Sequence, residues 1–223
     1  MLGALGFLLI FGFGYTITLL LAPHSKPFER VGLAYGLGLG WLTFIMFLLS
    51  WARVSLGVST VAAAIALPAV FLLLYKRRAL PLTIPSHLKV ALTVFKRARS
   101  LRVGQTILVL ALLLFITSSA VVATYWPVYS WDALSLFDFR GRVLFPELGV
   151  RGLKEAYYAH YPFLTSLGHT WLYRMGAANP KLMYPLFYLS LLLGFCGCLK
   201  RECPSLLSLA WSTVLVCTPI VYR

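Results

Sequence analysis

Acidic side chains, which can exchange a proton, are concentrated in residues 129–162, which read YSWDALSLFDFRGRVLFPELGVRGLKEAYYAHYP. The chain has six acidic residues, and four of them lie in this stretch: Asp132, Asp138, Glu147 and Glu155. A carboxylate can act as a general base, and an arginine such as Arg140 or Arg142 can bind phosphate through charge-assisted hydrogen bonds. This concentration of carboxylates predicts that the chemistry of the chain lies in this one loop.

The rest of the chain is mostly apolar. Its residues are 60% hydrophobic and 12% charged, whereas an average soluble domain has about 25% charged residues. The composition predicts an integral membrane protein. Residues 76–102 carry eight lysines and arginines and no acidic residue, so the positive-inside rule predicts a cytoplasmic loop. We therefore interpret the net charge of +14 as a sign of membrane topology and not of nucleic-acid binding. The alternative for residues 76–102 is a loop that binds anionic lipid or phosphate.

Hydropathy predicts an all-α, polytopic fold with about six transmembrane helices and external juxtamembrane amphipathic helices. Gly32, Gly36 and Gly40 share one face of the second span and predict close packing against another helix. The six predicted spans are Leu2 to Ala22, Val31 to Ser50, Leu56 to Tyr75, Val103 to about Tyr125, Leu182 to Leu199, and Leu206 to about Val221.

The basic loop sets the predicted topology. If residues 76–102 are cytoplasmic, the fourth span runs outward and residues 126–180 are extracytoplasmic. Phe163 to Met175 is too short to span comfortably. If it spanned, Lys200 and Arg201 would lie outside, against the positive-inside rule, so we expect a helix in the outer interface.

Polar residues between Asp132 and Phe145 recur with helical spacing, which predicts an amphipathic helix on the outer leaflet. Asp138 and Arg142 stand one turn apart, and we expect them to form an ion pair on a solvated face. Asp132 is at the start of this helix, where it could cap free backbone amides or act as a base, and local sequence leaves both interpretations open.

The order of these features resembles a known superfamily. An outward-running helix is followed by an aromatic-flanked aspartate (Tyr129 to Ala133), the helix ending at Arg142 to Phe145, and then His160, Tyr161, Pro162 and Phe163 before a short apolar helix. This order resembles the GT-C superfamily of polyprenyl-phosphate-dependent membrane glycosyltransferases, and it is similar to the branch of protein O-mannosyltransferases and the lipid A aminoarabinose transferase. The resemblance covers Val103 to Arg223 and includes Thr218 and Pro219.

The resemblance implies an inverting transferase in a bacterial or archaeal plasma membrane, with Asp132 as the catalytic base. The implied donor is a polyprenyl-phosphate sugar, and the acceptor is a glycan, a lipid or a protein. Some relatives use a divalent cation and others do not, and one placeable carboxylate is too few to argue for a metal site. The residues expected to bind substrate are His160, Tyr161, Arg140, Arg142 and Glu155.

The chain differs from the family pattern in its domain organisation, and this difference leaves more than one function open. Residues 1–102 are expected to form an N-terminal three-helix extension with the basic loop, and residues 103–223 a partial GT-C-like core with the catalytic loop at 126–162. The chain would then be the N-terminal part of a transferase, truncated and inactive as this fragment, or share the architecture without the activity. A non-enzymatic transport or assembly subunit with a lipid- or partner-binding loop is the alternative function. A lipid-linked polysaccharide ligase is a third, disfavoured because no large late external loop is present.

Overall fold

The computed structural model describes residues 2–23, 25–76, 102–126, 133–145, 149–150 and 162–217. All regular secondary structure in these residues is helical. Residues 133–145 form a short helix with two π-helical stretches, Ala133–Asp138 and Arg140–Leu144, and Pro180–Leu182 forms a 3₁₀ turn. The α-helices are α1 (Leu2–Leu21), α2 (Pro27–Trp51), α3 (Val58–Lys76), α4 (Val103–Tyr125), α5 (Leu164–Arg174), α6 (Met183–Glu202) and α7 (Ser205–Cys217).

Four of the helical segments are long and apolar enough to cross a membrane: Gly3–Leu21, Phe28–Trp51, Val103–Tyr125 and Pro180–Glu202. In α3 and α7 the described apolar stretches are shorter, Val58–Leu67 and Ser205–Cys217. The structure therefore has the architecture of a helical membrane protein. The count of six spans stays a prediction.

Helix α2 lies between α1 and α6, and glycines bring its backbone close to both. A Cβ atom on Gly14 of α1 would overlap the carbonyl oxygen of Ala34, and one on Gly38 would overlap the carbonyl oxygen of Ile10. On the other side of α2, a Cβ atom on Gly32 would overlap the backbone of Gly194 in α6. Helices approach this closely only where side chains are absent.

The predicted glycine face of α2 is confirmed at two of its three positions. Gly32 contacts α6, and the amide of Gly36 donates a 3.2 Å hydrogen bond to Ser190 Oγ of the same helix. Gly40 has no atom within 4 Å of its Cβ direction among the described residues. The contact with α1 was not predicted, because it uses Gly38, which lies on a different face of α2.

The two ends of α2 contact different partners. At its start, the buried carboxylate of Glu29 accepts a 2.8 Å hydrogen bond from Arg201 Nε and a second one from Arg201 Nη2, which joins the start of α2 to the end of α6. Near its end, Ser50 Oγ accepts a 2.7 Å hydrogen bond from the amide of Val150. Because α2 has 25 residues and rises ~1.5 Å per residue, these contacts lie at opposite ends of the bundle.

Helix α5 is buried in the bundle. Its 11 residues give a length of about 16 Å, too short to span a membrane. Residues 166–172 are all buried, and Trp171 Nε1 donates a 3.2 Å hydrogen bond to the carbonyl of Gly6 in α1. The expectation that this segment does not span agrees with its length, and residues 166–172 are buried by other parts of the protein.

The main hydrophobic core includes residues from both sides of the boundary predicted at residues 102 and 103. Ile10 and Leu39 from α1 and α2 pack in one cluster with Leu167, Trp171 and Met183. The division into two units stays a prediction, but the buried contacts of the described residues cross it.

Replacing Gly14 by alanine should destabilise the bundle, because the new methyl group would meet the backbone of α2. We expect the free energy of unfolding to fall by about 1–3 kcal/mol, the usual cost of overpacking. Gly12→Ala is the matched control, since nothing among the described residues lies within 4 Å of its Cβ direction. The apparent melting temperature in detergent, followed by tryptophan fluorescence, checks both variants, and equal melting temperatures would contradict the close α1–α2 contact.

Candidate functional site

The short helix 133–145 is held on α5 by a close backbone approach. A Cβ atom on Gly141 would lie 2.6 Å from the Cβ of His169 and 2.8 Å from the carbonyl oxygen of Ser166. Ser166 Oγ donates a 3.0 Å hydrogen bond to the carbonyl of Leu136, and Thr170 Oγ1 lies 2.9 Å from the carbonyl of Gly141. The small residues of both helices therefore position the charged side chains that lie beside them.

Five side chains from three elements form what we call the polar cluster: Asp138, Arg142, His169, Tyr173 and Tyr184. Asp138 is at its centre and is buried, with 8% of its surface exposed. Its Oδ1 accepts a hydrogen bond from the Tyr173 hydroxyl and lies 3.5 Å from His169 Nδ1. Its Oδ2 lies 3.6 Å from Arg142 Nη2. The carboxylate is thus shared between an arginine on its own helix and two side chains of α5.

His169 extends this network to α6. Its ring is buried, and Nε2 lies 3.0 Å from the hydroxyl of Tyr184. Because Asp138 is an acceptor, a neutral His169 with its proton on Nδ1 points this proton at the carboxylate and leaves Nε2 to accept from Tyr184. The Nδ1 contact is long, and no described atom offers it a closer hydrogen bond.

Burial is the largest single influence on the pKa of Asp138 and raises it. The contacts from His169 and Tyr173, together with the charge of Arg142, outweigh burial, so the pKa of this carboxyl lies below its ordinary value. For Tyr173, burial and the hydrogen bond to Asp138 both raise the pKa of the hydroxyl. The cluster therefore keeps the carboxylate charged and the tyrosine protonated.

Arg142 is an exposed member of the polar cluster. Its side chain is 60% exposed, Nη2 donates a 3.1 Å hydrogen bond to the Tyr173 hydroxyl, and the guanidinium lies 4.9 Å from the centre of the Tyr173 ring. The predicted ion pair with Asp138 is confirmed. The interpretation of Asp138 as part of a solvated face is wrong, because α5 covers this carboxylate, while Leu134 and Phe139 are exposed.

Arg140 points into the bundle. It has no exposed surface, and its guanidinium lies 4.8 Å from the centre of the Phe163 ring and 5.6 Å from that of Phe145. Such cation–π contacts accommodate a guanidinium away from water. The predicted contact of Arg140 with a donor phosphate stays a prediction.

The remaining predicted site residues, Asp132, Glu155, His160 and Tyr161, lie outside the described residues. The end of α4 is anchored by two hydrogen bonds. Asn179 Nδ2 donates a 2.8 Å hydrogen bond to the carbonyl of Ala123, and Lys181 Nζ donates one to the carbonyl of Trp126. Both hydrogen bonds join the end of α4 to the turn that precedes α6. Tyr184 lies at the start of α6.

Sequence reasoning missed three residues of the polar cluster. His169 and Tyr173 are four residues apart and share one face of α5, a spacing that could have indicated a polar face. Tyr184 had no such signal, because it joins the cluster only through the contact of α6 with α5. In the part of the chain that the structure describes, no three His, Cys, Asp or Glu residues are arranged to hold a metal ion.

Comparisons of the chain with protein-family models, curated proteins and solved structures give no match.

Asp138→Asn should lower the stability of the fold at neutral pH. It should also make this stability change less as the pH falls into the acid range. Since the folded-state pKa of Asp138 is lowered, the carboxylate stabilises the fold above its unfolded value of about 3.9, and this contribution is lost as the pH falls through the lower folded value. We expect the melting temperature of the unmodified protein to fall steeply below about pH 4, and that of Asp138→Asn to fall less.

Glu202→Gln, which alters an exposed acidic residue of α6, is the matched control and should keep the acid dependence of the unmodified protein. The measurement is the melting temperature in detergent as a function of pH. An unchanged pH profile in Asp138→Asn would show that the cluster does not stabilise the fold.

Proposed function

We propose that the chain is a GT-C-type membrane glycosyltransferase or the N-terminal part of one, which moves a sugar from a polyprenyl-phosphate donor to an acceptor on the extracytoplasmic face. Asp132 is the general base of this proposal. The observation that supports it best is the exposed, oriented guanidinium of Arg142, a cation suited to phosphate, on the helix that directly follows Asp132 in the chain.

Arg142 has the chemistry of a phosphate ligand. Its polar contacts with described residues use Nη2 alone, toward Tyr173 and Asp138. The donors on Nε and Nη1 are left for a phosphate, which a planar guanidinium can bind through two parallel hydrogen bonds. Stacking on Tyr173 restricts the side chain, so less conformational entropy is lost when the anion binds.

The proposed reaction needs one base and one anion site. Asp132 takes the proton of the acceptor hydroxyl as its oxygen forms a bond to the anomeric carbon, and the bond from this carbon to the donor phosphate oxygen breaks. The polyprenyl phosphate leaves with the electron pair, and Arg142 stabilises its added negative charge. A single displacement inverts the anomeric centre and needs no covalent sugar intermediate.

The Glu29–Arg201 ion pair supports the proposed topology. The two residues are in contact, so the start of α2 and the end of α6 are on one side of the bundle. This agrees with α5 not spanning, because a spanning α5 would put these two ends on opposite sides. With the basic residues 76–102 in the cytoplasm, the polar cluster then faces the extracytoplasmic side.

The second candidate function is a non-enzymatic assembly subunit. It is favoured by α4, none of whose described residues is buried in this chain. In such a subunit, a partner helix would cover the exposed surface of α4. The two functions differ in whether a carboxylate is needed for a reaction.

Asp132→Asn tests the proposal in the protein expressed from its complete gene. We expect transfer of labelled sugar from a polyprenyl-phosphate donor to fall by about 10²-fold to 10⁴-fold, the usual contribution of a general base. Membrane insertion and melting temperature should stay unchanged. Transfer that survives this substitution would eliminate Asp132 as the base.

Arg142→Gln should raise the KM for the donor, because it removes the charge that meets the phosphate. Arg174→Gln is the matched control, since Arg174 is also an exposed arginine, at the end of α5. The measurement is the initial rate against donor concentration. Equal KM values for the two variants would contradict the role of Arg142.

A further inference from the structure

The polar cluster places two basic side chains on a single carboxylate. Arg142 lies 3.6 Å from Oδ2 of Asp138, and His169 lies 3.5 Å from Oδ1 of the same side chain. Arg142 is exposed, whereas 2% of the surface of His169 is exposed. The two basic side chains therefore differ in access: Arg142 can meet a ligand, whereas His169 is enclosed, and a histidine is the type of side chain that can exchange a proton in the physiological pH range.

A proton on His169 would change the summed charge of Arg142, Asp138 and His169. With His169 neutral, the charge of Arg142 and that of Asp138 sum to zero. With His169 protonated, the sum becomes one positive charge, and the carboxylate is neutralised from the buried side. Arg142 then has its full charge available to an anion.

We infer that His169 is a proton-operated regulator of anion binding at Arg142. When His169 takes up a proton, both ring nitrogens become donors, Nδ1 to Asp138 and Nε2 to the Tyr184 oxygen. Asp138 is drawn to His169, and Arg142 binds a phosphodiester more tightly. The inference depends on the proposed function only for the identity of the ligand, a lipid-linked phosphodiester.

The groups that face His169 come from three elements. Helix 133–145 contributes Asp138 with its partner Arg142, α5 contributes Tyr173, and α6 contributes Tyr184. The described parts of α1 and α2 pack apolar or backbone groups on α5, including Leu39 against Gly168 and the carbonyl of Gly6 against Trp171. Among the residues that the structure describes, Asp138 is therefore the carboxylate that can hold a proton on His169.

A proton can reach the buried ring along the cluster itself. The hydroxyl of Tyr184 contacts Nε2, and this tyrosine is 41% exposed. Hydroxyl groups both donate and accept, so the Tyr184 hydroxyl can pass a proton to or from Nε2 of His169.

Binding of farnesyl methyl phosphate to the protein in phosphatidylcholine nanodiscs tests the inference. This phosphodiester keeps one negative charge between about pH 5 and about pH 8, so a change in affinity reports on the protein and not on the probe. We expect affinity to rise about fivefold to tenfold between pH 8 and pH 5.5, the effect of one unit charge at a partly exposed site. An affinity that does not vary with pH would overturn the inference.

Two variants separate regulation from a structural role. His169→Asn keeps a donor toward Asp138 but cannot take up a proton, so its affinity should stay at the high-pH value throughout. Asp138→Asn removes the competing charge, so at about pH 8 it should bind the probe more tightly than the unmodified protein does. A merely structural role predicts weaker binding in both variants, and that outcome would refute the inference. His87→Gln, in the basic segment, is the control that keeps the pH dependence.

Adding phosphatidylglycerol to the nanodiscs distinguishes a site for lipid headgroups from a site for an isoprenoid phosphodiester. If this lipid displaces the probe in a pH-dependent manner, the regulated site binds lipid headgroups in general; if it does not, the site selects the isoprenoid diester. Either result supports regulation by His169. Because binding is measured without sugar transfer, failure of the Asp132 proposal would leave this result standing.

Discussion

Backbone contact along α2 is the constraint on which the rest of the structure depends. Glycines on two of its faces let the neighbouring helices approach. Gly38 meets Gly14 of α1, and Gly32 meets Gly194 of α6. Helices α1 and α6 thus cover two faces of α2. Helix α5 packs across the second half of α2, beside Leu39. The position of the polar cluster follows, because α5 and α6 supply three of its five side chains.

Burial of Asp138 explains why the cluster has its composition. A carboxylate removed from water needs hydrogen bonds and positive charge, or it becomes protonated. Tyr173 donates a hydrogen bond to one oxygen, which also lies 3.5 Å from His169 Nδ1, and the guanidinium of Arg142 lies 3.6 Å from the other oxygen. The same requirement orients Arg142 on the ring of Tyr173 and leaves its outer donors toward solvent. A structural need thus produces an exposed and ordered cation at one end of the bundle.

Helix 133–145 shows where prediction from the chain works and where it stops. The pairing of Asp138 with Arg142 was predictable, because residues four apart on a helix are neighbours whatever surrounds them. The direction in which this helix faces was not. Its π-helical stretches alter the spacing of the residues around the axis, and α5 covers the polar side, so Asp138 and Arg140 are buried while Phe139 is exposed.

The sequence by itself determined the class of structure: apolar segments long enough to span a bilayer require helices, because backbone groups in lipid must bond within their own segment. It also determined local pairs and the short length of α5. Only the tertiary structure decided that His169, Tyr173 and Tyr184 meet Asp138, since these contacts join residues of three separate elements. Spacing along a chain carries information about one helix face at a time, and a site between helices depends on how closely their backbones can approach.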